Sequence, residues 1–251
     1  MVTLEGLEDA VEARPAAVRS VRCPGIAERD NLAWRALDAL EEEVGRRLPL
    51  AVSIDKRIPA RAGLGGGSSD AAATLVAADR LHDLGLGAAG LERVAARVGA
   101  DVPFLVRGGA QWAEGRGERL RAAAAPVFAA AIVHGGAGLA TPSVYRAFDR
   151  LAPPPPDDAG DPPATFVALA AWTRNDLWPA ALALDPGLGR AARALAAAGA
   201  ASVLLCGSGA CIAGLTRDVQ AAAAIAERLP DRPAWVVTGP GAPRAIRAPR
   251  V

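Results

Sequence analysis

Pro59-Ala-Arg-Ala-Gly-Leu-Gly-Gly-Gly-Ser-Ser-Asp-Ala-Ala-Ala73 is the stretch whose reading decides the fold. A strand-like run, Leu50 to Ile54 with apolar residues at every second position, leads into it, and an alanine-rich run leads out as far as Leu81. That order predicts strand, glycine loop, helix. Gly63, Gly65, Gly66 and Gly67 free the backbone to take positive φ and to approach a ligand where a Cβ would obstruct. Ser68, Ser69 and Asp70 stand where the helix needs its N-cap. Unpaired N–H groups at such a helix start, together with the positive end of its dipole, form an anion site suited to a phosphate.

Two common phosphate-loop patterns do not fit. The Walker pattern needs Gly-Lys-[Ser/Thr], but Gly67 is followed by Ser68, and the only lysine of the chain, Lys56, precedes the loop. The dinucleotide fingerprint would put Ser68 at its third glycine, and no acidic residue follows a second strand about twenty residues on.

The stretch does resemble the signature of the GHMP kinases, Pro-x-x-x-Gly-Leu-Gly-[Gly/Ser]-Ser. Its triple glycine followed by Ser-Ser-Asp-Ala-Ala resembles the branch of that family that acts on a cytidylylated sugar alcohol in the non-mevalonate isoprenoid route. A second fingerprint follows at suitable spacing, Gly99-Ala-Asp101-Val-Pro103. From the residues alone, Pro103 pushes Val102 out of the α region, and Asp101 caps a short element from Pro103 to Val106. In the resemblance the aspartate is the catalytic base; a carboxylate at an N-cap can do both. The third stretch, Cys206-Gly207-Ser208-Gly209-Ala210-Cys211, read alone is a bend in a strand. Third in order, it resembles the family's Gly-Ser-Gly-Ala loop, with Gly207, Ser208 and Gly209 facing the phosphates from the second domain.

The resemblance implies an α+β fold in two domains: a ribosomal protein S5 domain 2-like N-terminal domain over residues 1–122, with its first strand or strands truncated, and a ferredoxin-like C-terminal domain over 123–251. ATP and Mg²⁺ are the implied cofactors. Pro59, Ala60, Arg61, Ala62, Gly63, Leu64, Gly65, Gly66, Gly67, Ser68 and Ser69 would hold the nucleotide, Ser68 or Ser69 also meeting Mg²⁺. Asn31 is a candidate contact for the adenine edge, with helix capping as its alternative role. Trp172 stands where the resemblance places an aromatic that stacks on cytosine, though a Trp beside a helical core is commonly part of that core. Phosphoryl transfer would then go to the 2-hydroxyl of a diphosphocytidyl-methylerythritol, which Asp101 also contacts. Two alternatives remain: a nucleotide-binding homologue without catalysis, and another small-molecule kinase of the family, such as homoserine kinase.

The sequence departs from the family pattern at its start. The family opens with a strand carrying Lys-x-Asn and soon after a Gly-Tyr-His segment, and neither is present. The lysine is expected beside the catalytic aspartate and the Tyr-His pair around cytosine; Lys56 matches a separate Lys-Arg-x-Pro position. Met1 falls inside what reads as a continuing strand, so the expectation is a start placed too far downstream.

Elsewhere the pattern predicts strands at Val2 to Leu7 and Ala17 to Cys23 joined by a charged turn, then a helix from Asp30-Asn31-Leu32 to about Val44. A helix with Leu91, Val94, Ala95 and Val98 on one face and a hairpin around Gly115-Arg116-Gly117 follow. The second half opens with a buried strand, Phe128 to His134, then a short helix from Thr141-Pro142 and a proline-rich loop from Pro153 to Pro163. Helical segments run to Gly199, and a strand, a helix from Asp218 to Leu229 and a strand from Ala234 to Thr238 complete an alternating half.

Composition limits the remaining classes. The 251 residues are 51% hydrophobic and 22% charged, enough for a sizeable core. A net charge of +1 lacks a polyanion footprint, so nucleic acid is not an expected partner. Cys23, Cys206 and Cys211 lack zinc-ligand spacing and read as buried free thiols. Without an apolar run of membrane-spanning length, and with an acidic start, the expectation is a cytoplasmic protein, monomer or homodimer, with a small-molecule substrate and no membrane partner.

Overall fold

The computed structural model describes residues 1–136, 138–151 and 163–241. One antiparallel and one parallel pairing build the first sheet: β1 (Ala10–Pro15) runs antiparallel to β3 (Leu50–Asp55), and β2 (Ser20–Arg22) runs parallel to β3 on its other side. The inward residues Leu50, Val52 and Ile54 of β3 are buried against three helices. These are α1 (Leu32–Val44), α2 (Gly66–Leu81) and α3 (Gly87–Val98), with α4 (Val102–Arg107) packed on α2 and α3. A hairpin of β4 (Gln111–Glu114) and β5 (Arg119–Ala122) turns through Gly115 and Gly117, as expected.

Two strand expectations at the start are corrected. Val2 to Leu7 is not a strand: Gly6, at φ +104°, interrupts it, and only isolated bridges form, Val2 to Ala110 and Glu5 to Thr238. The charged segment taken as a turn is instead β1, whose Val11 and Ala13 face inward while Glu12 and Arg14 face solvent. At a sheet edge, a strand with one wet face is polar at every second residue, and the charges hide it. The second expected strand shrinks to the three residues of β2.

The second half holds a four-stranded antiparallel sheet in the order β7 (Ser202–Leu205), β8 (Cys211–Thr216), β6 (Phe128–His134), β9 (Ala234–Gly239). With α8 (Gly187–Ala197) between β6 and β7 and α9 (Val219–Glu227) between β8 and β9, this is the ferredoxin-like βαββαβ arrangement. Preceding α8 are α5 (Thr141–Arg150), α6 (Phe166–Trp172) and α7 (Trp178–Leu184). The loop expected over Pro153 to Pro163 lies, up to residue 162, outside the described residues.

Strand β6 is buried on both faces, and its alternation separates two cores. Ala131 and Val133 meet Leu188, Ala191 and Leu195 of α8, whereas Ala130 and Ile132 face a cluster containing Ala62 of the glycine loop and Leu169 of α6. Leu64 packs against that second cluster too. The glycine loop is therefore wedged between the halves, carried by apolar side chains in the second core.

Candidate active site

The helix after the glycine loop starts three residues earlier than expected. Its N-cap is Gly65, in the left-handed region at φ +68°, so Ser68, Ser69 and Asp70 lie inside α2 and do not cap it. The reason is conformational. Glycine enters αL without a Cβ penalty and bends the chain into the helix before a serine is reached. The first helical bond is Ser69 N–H to Gly65 O, 2.8 Å, so the amides of Gly66, Gly67 and Ser68 stand ahead of it at the positive end of a sixteen-residue helix.

Four elements surround this helix head. Leu32, at the start of α1, approaches Gly67: a Cβ there would lie 3.6 Å from Leu32 Cδ1. Asn31 caps α1, its Oδ1 accepting from Ala33 N–H at 2.9 Å, and it is 4% exposed. Its capping role is thus present in the fold, while its carboxamide also bonds the thiol of Cys23. Cys23 lines a groove of about 740 Å³ between Ser20–Pro24 and Ser53–Asp55. That groove is lined by neither the glycine loop nor Asp101.

Lys56 is the second neighbour. Its Nζ lies 3.1 Å from the place a Cβ on Gly66 would take, and it donates to Asp70 Oδ2 at 2.8 Å and to Asp9 Oδ2. Burial pushes Asp70 up to about 6 against the pull of Lys56, and its Oδ1 has no hydrogen-bond partner among the described residues. Asp9 is lowered: burial would raise it, but bonds from Lys56 and from the main-chain N–H groups of Ile58 and Arg57 outweigh that.

The third neighbour is α4. Leu105 Cδ1 sits 3.8 Å from the Cβ position of Gly65, and Asp101, one turn earlier, occupies the same stripe of that helix. Asp101 is the N-cap residue, yet its side chain makes no capping bond. As a residue Asp101 is exposed, and the partial desolvation of its carboxyl raises its pKa above the ordinary aspartate range.

The fourth neighbour belongs to the second half. A Cβ on Gly63, at φ +75°, would fall 1.8 Å from Cys206 O and 2.8 Å from Gly209 N. Ala210 N–H donates to Arg61 O at 3.2 Å and Cys211 N–H to Ala62 O at 2.9 Å. The two glycine motifs are therefore joined main chain to main chain. Asn175 braces the second loop, its Nδ2 donating to Leu205 O at 2.9 Å and to Gly207 O at 2.7 Å. Ser208 is buried with its hydroxyl 2.8 Å from that of Thr141, the first residue of α5.

Trp172 stands on a helix whose Leu169 packs in the same core cluster as Ala62 of the glycine loop. It ends α6, 40% exposed, edge-on to Trp112 of the hairpin with ring centroids 5.8 Å apart. A second exposed aromatic is Tyr145, one turn after Thr141 on the same stripe of α5 and 53% exposed. The sequence reading passed over Tyr145 and Asn175. A Tyr four residues after a Thr-Pro helix start was the available signal for the first, and Trp172-Thr-Arg-Asn175 offered none for the second. All three thiols are free, and burial pushes those of Cys206 and Cys211 up to about 12.

A helix head with open amides, a second glycine loop closing over the first and a helix begun by Asp101 packed alongside make up the frame of a small-molecule kinase site. The family descriptions agree: GHMP kinases N terminal domain matches residues 31–109 and GHMP kinases C terminal matches 166–234, and the chain belongs to the GHMP kinases. Among its relatives is the 4-diphosphocytidyl-2-C-methyl-D-erythritol kinase of Rhodococcus jostii, 40% identical over 89% of this chain and 77% of that protein. The enzyme of the same name from Nocardia farcinica is 38% identical over 96% and 81%. The crystal structure of a 4-(cytidine 5'-diphospho)-2C-methyl-D-erythritol kinase superposes with a TM-score of 0.74 at 34% identity, covering 92% of this chain and 86% of the other. Among the described residues no helix is long and apolar enough to cross a membrane.

Proposed function

We propose that this chain transfers the γ-phosphoryl group of ATP to the 2-hydroxyl of 4-diphosphocytidyl-2-C-methyl-D-erythritol, in the non-mevalonate route to isoprenoid precursors. The observation that carries this reading is the meeting of the two glycine motifs at a helix head against which α4, begun by Asp101, packs. Phosphoryl transfer asks a protein to position the acceptor in line and to neutralise charge on the phosphoryl oxygens. The amides of Gly66, Gly67 and Ser68 serve the second task, with Lys56 beside them. Asp101 serves the first, orienting the acceptor hydroxyl and taking its proton; burial makes it a stronger base than a solvated aspartate.

The loop from Pro59 to Ser69 would bind the triphosphate, with Gly207, Ser208 and Gly209 covering it from the second domain. Mg²⁺ suits a site of this kind, because it is usually held by substrate phosphates and one or two protein oxygens, here the hydroxyl of Ser68 or Ser69. When bound, it would screen charge on the transferred group. The groove beyond Cys23, next to Asn31, offers a slot for the adenine. We assign the boundary between the two domains to residues 122 and 123, and the cytosol as the site of action.

A coupled assay of ADP release tests the function. Turnover should depend on the cytidylylated sugar alcohol and should fall by about 10³-fold in Asp101→Asn, within the range for removing a general base, with nucleotide binding kept. ATP binding without acceptor-dependent turnover would make the chain a binding protein, and equal turnover with homoserine would reassign the substrate.

A further inference from the structure

Asp9 precedes β1, far in sequence from the glycine loop, yet its side chain is only 1% exposed. Its Oδ1 accepts from the main-chain N–H groups of Arg57 at 2.7 Å and Ile58 at 2.8 Å, and its Oδ2 accepts from Lys56 Nζ. One carboxylate thus grips both the segment entering the glycine loop and the ammonium at the head of α2. An ammonium has three donors. Asp9 and Asp70 take two, which leaves one on an Nζ that stands beside Gly66. A lysine side chain is rich in rotamers, so an untethered Lys56 would sample many positions away from the helix head.

We propose that Asp9 is a positioning residue for nucleotide binding: it fixes the Lys56 ammonium and the Arg57–Ile58 entry of the glycine loop in one arrangement against the anion-binding head of α2. The inference rests on the reading of that head as the triphosphate site. Burial by itself would lower the lysine's pKa, but the bonds to Asp70 and Asp9 outweigh it and keep the side chain cationic. Asp9 acts through Lys56 and the loop and not by touching the phosphates or the acceptor.

The test is calorimetric binding of a non-hydrolysable ATP analogue to the full chain, with steady-state kinetics alongside. Asp9→Asn keeps an acceptor oxygen for the two main-chain bonds and removes the charge. It should raise the nucleotide Kd and KM about tenfold, the scale of one charge-assisted bond, while kcat and the acceptor KM stay within about twofold. Lys56→Gln should lose as much, and the double variant should be no worse than Lys56→Gln alone, as expected for two residues acting as one unit. Wild-type nucleotide affinity in Asp9→Asn, or losses that multiply in the double variant, would overturn the proposal. Should Asp9→Asn not fold, Lys56→Gln carries the test by itself: unchanged nucleotide affinity there removes the link through which Asp9 acts. A wild-type chain that binds nucleotide without turnover sinks only the kinase reading, whereas one that binds none sinks both.

Discussion

Gly63 and Gly67 are four residues apart in one loop and do opposite work. Gly63 has no room at all: the main chain of Cys206 and Gly209 occupies the space where its Cβ would project. Gly67 has ordinary clearance, with a single side-chain atom at contact distance and its amide ahead of the first helical bond. One glycine closes the protein on itself; in the proposed function the other opens it to a ligand. A glycine-rich signature read as a single phosphate cradle merges these uses, and only the partner across the cleft separates them.

The widest gap between the two should appear in stability. Gly63→Ala would need both a positive φ and a Cβ inside another main chain, so it should cost about 4 kcal/mol or more, among the largest single-residue effects. A thermal melt should show a fall of about 10 °C for a chain of this size. A melting temperature within a degree or two of wild type would mean that the two glycine motifs do not meet in solution.

Asn175 tests the same closure from the other side. Asn175→Ala leaves the carbonyls of Leu205 and Gly207 without their donor, a loss of about 2 kcal/mol if both go unsatisfied. Nucleotide KM should rise with it, because the second loop loses its brace. If stability fell and KM held, the second loop would be structural only.

On the open side, the pH profile should respond to Asp101. Its folded pKa is raised by burial, and a base works only when ionised, so kcat/KM should decline by about tenfold per unit as pH falls below that raised value. The acid limb should therefore begin above the ordinary aspartate range. A limb inside that range would place the carboxylate in open solvent and away from the reacting hydroxyl.

Recognition of the base should be a smaller effect still. Removing an aromatic wall costs about 1 kcal/mol, or several-fold in the acceptor KM. Tyr145→Ala should show that loss if proximity to the Ser208 loop decides the site, and Trp172→Ala should show it if the family pattern does. Trp172 already spends one edge contact on Trp112, which favours Tyr145.

The open half of the site was the more legible part of the sequence. Glycine runs, proline at helix starts and the apolar stripe through Leu91, Val94, Ala95 and Val98 are local signals, and α2, α3, α4 and the β4–β5 hairpin follow them. The closing half was not, since its determinants lie far apart in sequence. Asp9 meets Lys56 across 47 residues, and Gly63 meets Cys206 from the other half of the chain. Even the local cap misled: serines are common caps, but Gly65 had already turned the chain. Hydrophobic alternation likewise favoured Val2 to Leu7 over β1, whose outer face is charged because it is wet.

Gly67→Ala is the smallest and sharpest of these contrasts. Gly67 is exposed, lies inside α2 and has no positive φ, so alanine suits its backbone and should add up to about 1 kcal/mol of helix stability. The nearest atom to the new methyl is Leu32 Cδ1 at 3.6 Å, an ordinary contact that needs no rearrangement. The same methyl would stand among the amides that precede the first helical bond, where a phosphate must approach closely. Nucleotide Kd should therefore rise several-fold while the melting temperature stays level or climbs. Opposite signs for affinity and stability are what a ligand-facing glycine requires, because a glycine kept for packing would lose both together. Unchanged affinity in Gly67→Ala would move the phosphate off this helix head, and the division between the closing and the opening glycine would have to be redrawn around Gly65 and Gly66.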